Sequence, residues 1–173
     1  KRLVEMMDEF RIDTLDGLAT HVVARSNEAV LAEIAKLPKG TWRNAMTVDG
    51  YDHPVTLEAA LTVSDSGIHV DFTGTSAQSK FGINVPIPYT TAYTVFGLGC
   101  VVATHIPNNA GSLAPLTISA PEGCILNAPK PAPVASRPMT PLSHPSTPSS
   151  SLRSNEPLRN VRRNFERIVP VRW

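Results

Sequence analysis

Apolar residues recur along this chain with two different periods, and the change from one to the other divides it. Leu3, Met6, Met7 and Phe10 fall on one face of a helix that the pattern ends near Arg11. Asp13 or Thr14 then caps a second helix, which runs to about Leu37 with Leu15, Leu18, Val22, Ala29 and Ile34 near one stripe. Pro38 and Gly40 stop it. From Thr41 the period drops to two. Val55, Leu57, Ala59, Leu61 and Val63 point to one side, and Thr56, Glu58, Ala60 and Thr62 to the other. The polar run from Ser64 to Gly67 supplies a turn, after which Ile68, Val70 and Phe72 resume the alternation. This predicts a β-hairpin, with a less regular strand at Thr41–Val48 beside it.

Beyond Phe72 the alternation gives way to turn formers. Thr73 to Ser76 reads as a polar turn in which Gly74 opens a backbone conformation closed to residues with a Cβ. Pro86 and Pro88 deny the next stretch a regular ladder. Tyr89 to His105 reads as a helix rich in small residues, among them Ala92, Gly97, Gly99, Cys100 and Ala103. A glycine inside a helix costs about 1 kcal/mol against alanine, so the pair predicts close packing against a neighbour. Ile106–Leu113 reads as a loop, Leu116–Ser119 as a short strand and Pro121–Pro133 as an extended segment. The expected class is α+β: N-terminal helices, an antiparallel β-meander over about residues 41–73, then a helix and loop-rich segment.

Composition narrows the picture further. A chain of 173 residues with 42% hydrophobic residues can bury one core. The formal charge of +1 is uneven: residues 1–137 carry 10 Lys/Arg against 13 Asp/Glu, and residues 138–173 carry 6 Arg against 2 Glu. The body therefore has no basic face for nucleic acid. The longest apolar run, Val95 to Ala103, is too short to cross a membrane. Cys100 and Cys124 are too few for a disulfide framework, as expected in a reducing cytoplasm. The chain opens at Lys1, without Met and inside a helical pattern, which predicts a segment cut from something longer. Residues 138–173 hold 6 Pro and 6 Ser, the composition of disorder. Within them, Leu158, Val161, Phe165 and Ile168 alternate with arginines as a short basic amphipathic helix, read here as an accident of composition.

Candidate chemistry gathers between Asp71 and Asn127. Asp71 ends a strand before a glycine turn, where it can orient a substrate or simply bond the N–H groups of its own turn. Gly74 and Thr75, with Ser76, can cradle an anion, although the segment is not a GxxxxGK[ST] loop. Asn84, Asn108, Asn109 and Asn127 offer amides able to bond a cyclic amide on both edges, and are equally ordinary turn formers. The histidines at 21, 53, 69, 105 and 144 show no metal-ligand spacing, so no local metal site is expected. His69 reads as a solvent-side strand residue, His105 as a helix end and Cys100 as a packing residue. Cys124 reads as the more exposed of the two thiols.

These blocks, in this order, resemble the hydantoinase B/oxoprolinase family. The matching elements over Phe10–Arg137 are the helix ending in LPKGTW, the hairpin running into VDFTGTSAQ, the GINVP segment, the GCVVATHIPNNAG exit and LTISAPEGCILNAPKPAPVASR. The resemblance implies a partial B-type domain over residues 1–137, followed by a non-family tail over 138–173 that a reading-frame error near Arg137 would explain. It implies ATP-dependent opening of a lactam such as 5-oxoproline or of a hydantoin, with ketone carboxylation as the related alternative. It places ATP and Mg in a hydantoinase A-type partner subunit, allows a metal in an upstream portion absent from this sequence, and makes the parent a hetero-oligomer. A non-catalytic remnant, or an assembly surface for that partner, is the reading from a different class.

Overall fold

The structure, a computed structural model, describes residues 2–134. The residues expected to form the tail and its amphipathic helix lie outside the described residues. Helix α1 spans Arg2–Phe10. It ends where Arg11 takes φ 53°, which lets the Ile12 N–H reach back to the Met7 carbonyl at 2.8 Å. None of its residues is buried, and Leu3, Val4 and Phe10 are exposed.

Helix α2 spans Asp16–Ala35. Its cap position falls on Leu15, which makes no side-chain cap. The expected cap Thr14 sits one residue earlier, and its hydroxyl accepts from the Asp16 N–H at 3.1 Å. The buried positions are Ser26, Val30 and Ile34. The predicted stripe therefore holds only in the C-terminal half, because Leu18 and Val22 remain 50% and 45% exposed.

Strands β1 (Gly40–Val48), β2 (Val55–Ser64) and β3 (Gly67–Asp71) form the expected meander. The alternation in the sequence sets the register: Leu61 lies opposite Val70 and Val63 opposite Ile68, so the apolar side chains share one face. Helix α3 spans Ile87–Val102, with Pro88 tolerated in its first turn. It stops three residues short of His105, whose Nε2 lies 3.7 Å from Glu33 Oε1 on α2. The expected tight packing of its glycines is absent at Gly99, where an added Cβ meets nothing within 4 Å.

The 106–113 segment is not wholly a loop. Ala110–Leu113 forms a single helical turn, α4, capped by Asn109. Strand β4 (Leu116–Ser119) then joins β3 in parallel, giving a mixed four-stranded sheet in the order β1-β2-β3-β4. A parallel partner requires a long crossover, and residues 72–115 supply it through α3. The core lies between the apolar face and the helices, where Val30 and Ile34 meet Leu61, Ile68, Leu98, Ile125 and Leu126 in one cluster. The other face of the sheet is left with polar side chains.

Candidate functional site

Asp71 closes β3 on that polar face. Its Oδ1 accepts from the Thr73 N–H at 3.1 Å, the Thr73 hydroxyl at 2.8 Å and the Ser119 hydroxyl at 3.1 Å. The turn-bonding arrangement is thus present, together with a contact to β4 that the turn does not need. The Thr73 hydroxyl is the main cause that holds the Asp71 pKa below its ordinary value; partial burial opposes it, and the Thr73 N–H, Ser119 and His69 add to the lowering. A carboxyl with a depressed folded-state pKa contributes stability above its unfolded value of 3.8, and that stability is lost as pH falls through the lower folded value. Asp71→Asn should therefore lower stability at neutral pH, with the difference from the native chain shrinking as acid titrates Asp71. Denaturation midpoints at pH 7 and in the range below 3.8 test this; an equal loss at both would refute it.

The Gly74 turn folds back over β2, beyond the point where β3 stops pairing. Ser76 N–H donates to the Thr56 carbonyl at 2.9 Å, and Thr56 N–H donates to Ser76 Oγ at 2.9 Å. Glu58 N–H donates to Thr75 Oγ1 at 3.0 Å, and the Thr75 hydroxyl donates to the Glu58 carbonyl at 3.1 Å. Two side-chain hydroxyls so continue the ladder along a strand edge, and Thr75 is 8% exposed as a result. Gly74 takes φ +100°, and a Cβ there would run into the Glu58 carboxylate. As an anion cradle this turn is a poor fit. The N–H groups of Thr73, Thr75 and Ser76 are spent on Asp71, Phe72 and Thr56, and the neighbouring charges are acidic.

The asparagines divide by what their amides already bond. Asn84 is 2% exposed: its Oδ1 accepts from Ser79 N–H at 2.7 Å, and its Nδ2 donates to the carbonyls of Ser79, Phe81 and Pro133. Asn109 caps α4 by accepting from the N–H groups of Gly111 and Ser112, and donates to Ser26 Oγ at 2.7 Å. Asn127 donates to the Ala120 carbonyl at 2.8 Å. Asn108 alone of the four is exposed. Cys124, expected at the surface, is 4% exposed. Its turn is tied to the segment after Gly74 by Gln78 N–H to the Gly123 carbonyl and Ile125 N–H to the Ser76 carbonyl. Burial pushes the Cys100 thiol up, away from the thiolate a nucleophile needs.

Three side chains that join Asp71 are ones sequence reasoning passed over as a group. His69 lies two residues before Asp71, on the same face of β3. Its Nδ1 is 2.9 Å from Thr117 Oγ1 and its Nε2 3.0 Å from Ser119 Oγ. Parallel pairing sets this meeting, with His69 opposite Thr117 and Asp71 opposite Ser119. The one sequence signal was shared alternation: polar residues at 69, 71, 117 and 119 on strands predicted separately. Across β2, Ala60 lies opposite Asp71, and Arg43 on β1 lies opposite Ala60. Among the described residues no group of three or more His, Cys, Asp or Glu could hold a metal ion. Nor is any described helix long and apolar enough to cross a membrane. A cleft of about 590 Å³ between α2 and α4, lined by Ala19, Val23, Asn27, Gly111 and others, contains none of the candidate residues.

Comparison with known proteins places this arrangement in a context. The hydantoinase B/oxoprolinase family matches residues 1–145, past Arg137. A Pseudomonas sp. (strain NS671) protein, provisionally named as the B-type subunit of a D-/L-hydantoinase, is 28% identical over 79% of this chain and 26% of its own length. The 5-oxoprolinase PfmaA of Pestalotiopsis fici is 29% identical over 75% of this chain and 10% of its own. In fold, the chain is similar to the ATP-dependent caprolactamase of Pseudomonas jessenii, with a TM-score of 0.70 at 19% identity, over 97% of this chain and 28% of that one. The chain thus spans about a quarter or less of each of these relatives.

Proposed function

We propose, since this chain belongs to the hydantoinase B/oxoprolinase family, that it forms one wall of the site at which a B-type component opens a cyclic amide in an ATP-dependent reaction. The observation that carries this reading is the position of Asp71. It is an ionised carboxylate at the end of β3, bonded across to β4 through Ser119, on the sheet face that the core does not use. Substrates of the 5-oxoproline or hydantoin class suit that face, because a planar ring amide offers both a donor and an acceptor edge to hydroxyl and carboxylate groups. Gly74, exposed in the turn that follows Asp71, is the other candidate on this side, and Thr75 holds that turn to β2, whereas Asn84, Asn109 and Asn127 hold their own loops and Asn108 is exposed on the segment leading into α4.

The described residues do not fit ATP or its Mg ion. The Gly74 turn has its N–H groups engaged and acidic neighbours, and the described residues hold no metal-binding cluster. Phosphorylation is accordingly assigned to a hydantoinase A-type partner, in a hetero-oligomer, and no step here runs through the nucleotide. The test is turnover of 5-oxoproline and of a hydantoin by this chain with the ATP-binding partner, followed as ADP release coupled to ring opening. A full-length homologue serves as positive control. ADP release with ring opening is the expected result. Absence of turnover beside an active control would leave only the assembly-surface or remnant reading.

A further inference from the structure

The four hydrogen-bonding groups on the β3–β4 seam have a direction. An ionised carboxylate only accepts, so the single hydrogen of Ser119 Oγ is committed to Asp71. Ser119 can then bond His69 only as an acceptor, and the ring must carry its hydrogen on Nε2, 3.0 Å away. In the neutral ring Nδ1 is left as an acceptor, and the Thr117 hydroxyl, 2.9 Å away, donates to it. When the ring is protonated on both nitrogens, Thr117 can accept instead and turn its own hydrogen to the Ile68 carbonyl at 3.5 Å. The chain accommodates either charge state of His69 without breaking a bond.

We propose that Thr117, His69, Ser119 and Asp71 form a proton relay that delivers a proton to the leaving nitrogen of the opened ring, with Asp71 at the substrate end and His69 as the reservoir. The inference rests on the ring-opening reading above. In the step, the C–N bond of the activated amide breaks and its electron pair stays on nitrogen. Ser119 first passes its hydrogen to Asp71 while taking the Nε2 hydrogen of imidazolium His69, and the Asp71 carboxyl so formed then gives that proton to nitrogen. Asp71 ends ionised, as it began, and His69 ends neutral. One water supplies hydroxyl to the acyl carbon and a proton to solvent, from which His69 is recharged, and the activating phosphoryl group leaves as phosphate with a second water. The charged groups sharing this face are Asp71 on β3, Glu58 on β2 and Arg43 on β1, and β4 contributes hydroxyls. His69 and Ser119 act through Asp71 and are positioning residues; Asp71 is the group that meets substrate.

Two measurements test this. Ring ¹⁵N spectra of the 173-residue chain, recorded on the neutral ring, should show its hydrogen on Nε2. Ser119→Ala should shift it toward a mixture of tautomers while the Thr73 amide signal stays in place, since the Asp71–Thr73 bonds do not involve Ser119. A native ring protonated on Nδ1, or a tautomer unmoved by Ser119→Ala, overturns the wiring. In the assembled enzyme, Ser119→Ala should lower kcat about 100-fold with KM nearly unchanged. Turnover within about twofold of the native chain overturns the relay. A native chain with no turnover refutes the ring-opening reading and with it the relay's use, while the tautomer still decides the wiring.

Discussion

Asn84→Asp should destabilise the fold by about 4 kcal/mol, the largest loss expected from any near-isosteric change in the described residues. The amide nitrogen of Asn84 donates to three carbonyls, those of Ser79, Phe81 and Pro133, and 2% of the residue is exposed. An aspartate places an acceptor oxygen against those carbonyls. It must either bury an unpaired charge or protonate, and a protonated carboxyl has one hydrogen for three acceptors. The Ser79 N–H keeps its partner in either case, so the loss reads the donor side of the amide alone. A urea midpoint lowered with unchanged slope would show it. An unchanged midpoint would mean that the Asn84 amide is not holding the loop and is free for a ligand.

Gly67→Ala should cost about 3 kcal/mol and also disturb the site. Gly67 takes φ +146°, and an added Cβ collides with the Pro115 carbonyl. That carbonyl accepts from the Ile68 N–H at 2.8 Å, the first bond that joins β4 to β3. Relief of the clash pushes Pro115 outward and takes Thr117 and Ser119 away from His69. Two signals should therefore move together: the thermal midpoint falls, and the His69 ring spectrum approaches that of a solvated imidazole. A lower midpoint with an unaltered ring spectrum would show that β4 keeps its place by contacts other than this turn.

Much of this architecture was legible because it is written in local periods. The β2–β3 hairpin follows from alternation between Val55 and Phe72, and its register follows because a one-residue slip would turn Leu61 and Val70 outward. The first half of α2 misled for the opposite reason. Leu18 and Val22 satisfy a helical stripe, but periodicity does not reveal which turns of the helix have something to pack on. Cys124 was misjudged because its burial depends on backbone bonds to residues 76 and 78, nearly fifty positions away. The asparagines carried two readings in the sequence, and the bonding of Asn84, Asn109 and Asn127 within the chain is knowable only from the folded loops. The partnership of His69 with Ser119 was out of reach, because parallel pairing, and not any spacing motif, brings them together.

The parallel seam between β3 and β4 also bears on the order of folding. The β1–β2–β3 meander closes through turns of a few residues, at little entropic cost. Thr117 meets His69 across 48 positions of chain, and Ser119 meets Asp71 across 48. Because it closes a loop of that length, this pairing is expected to follow the hairpins, once the segment carrying α3 lies against the sheet. A chain halted with its hairpins complete would possess a stable-looking scaffold and Asp71 in its turn, yet no connected route for protons. Competence for chemistry thus becomes a reporter of the last contact made, and a slow mutant in the crossover would delay activity without altering the meander's spectrum.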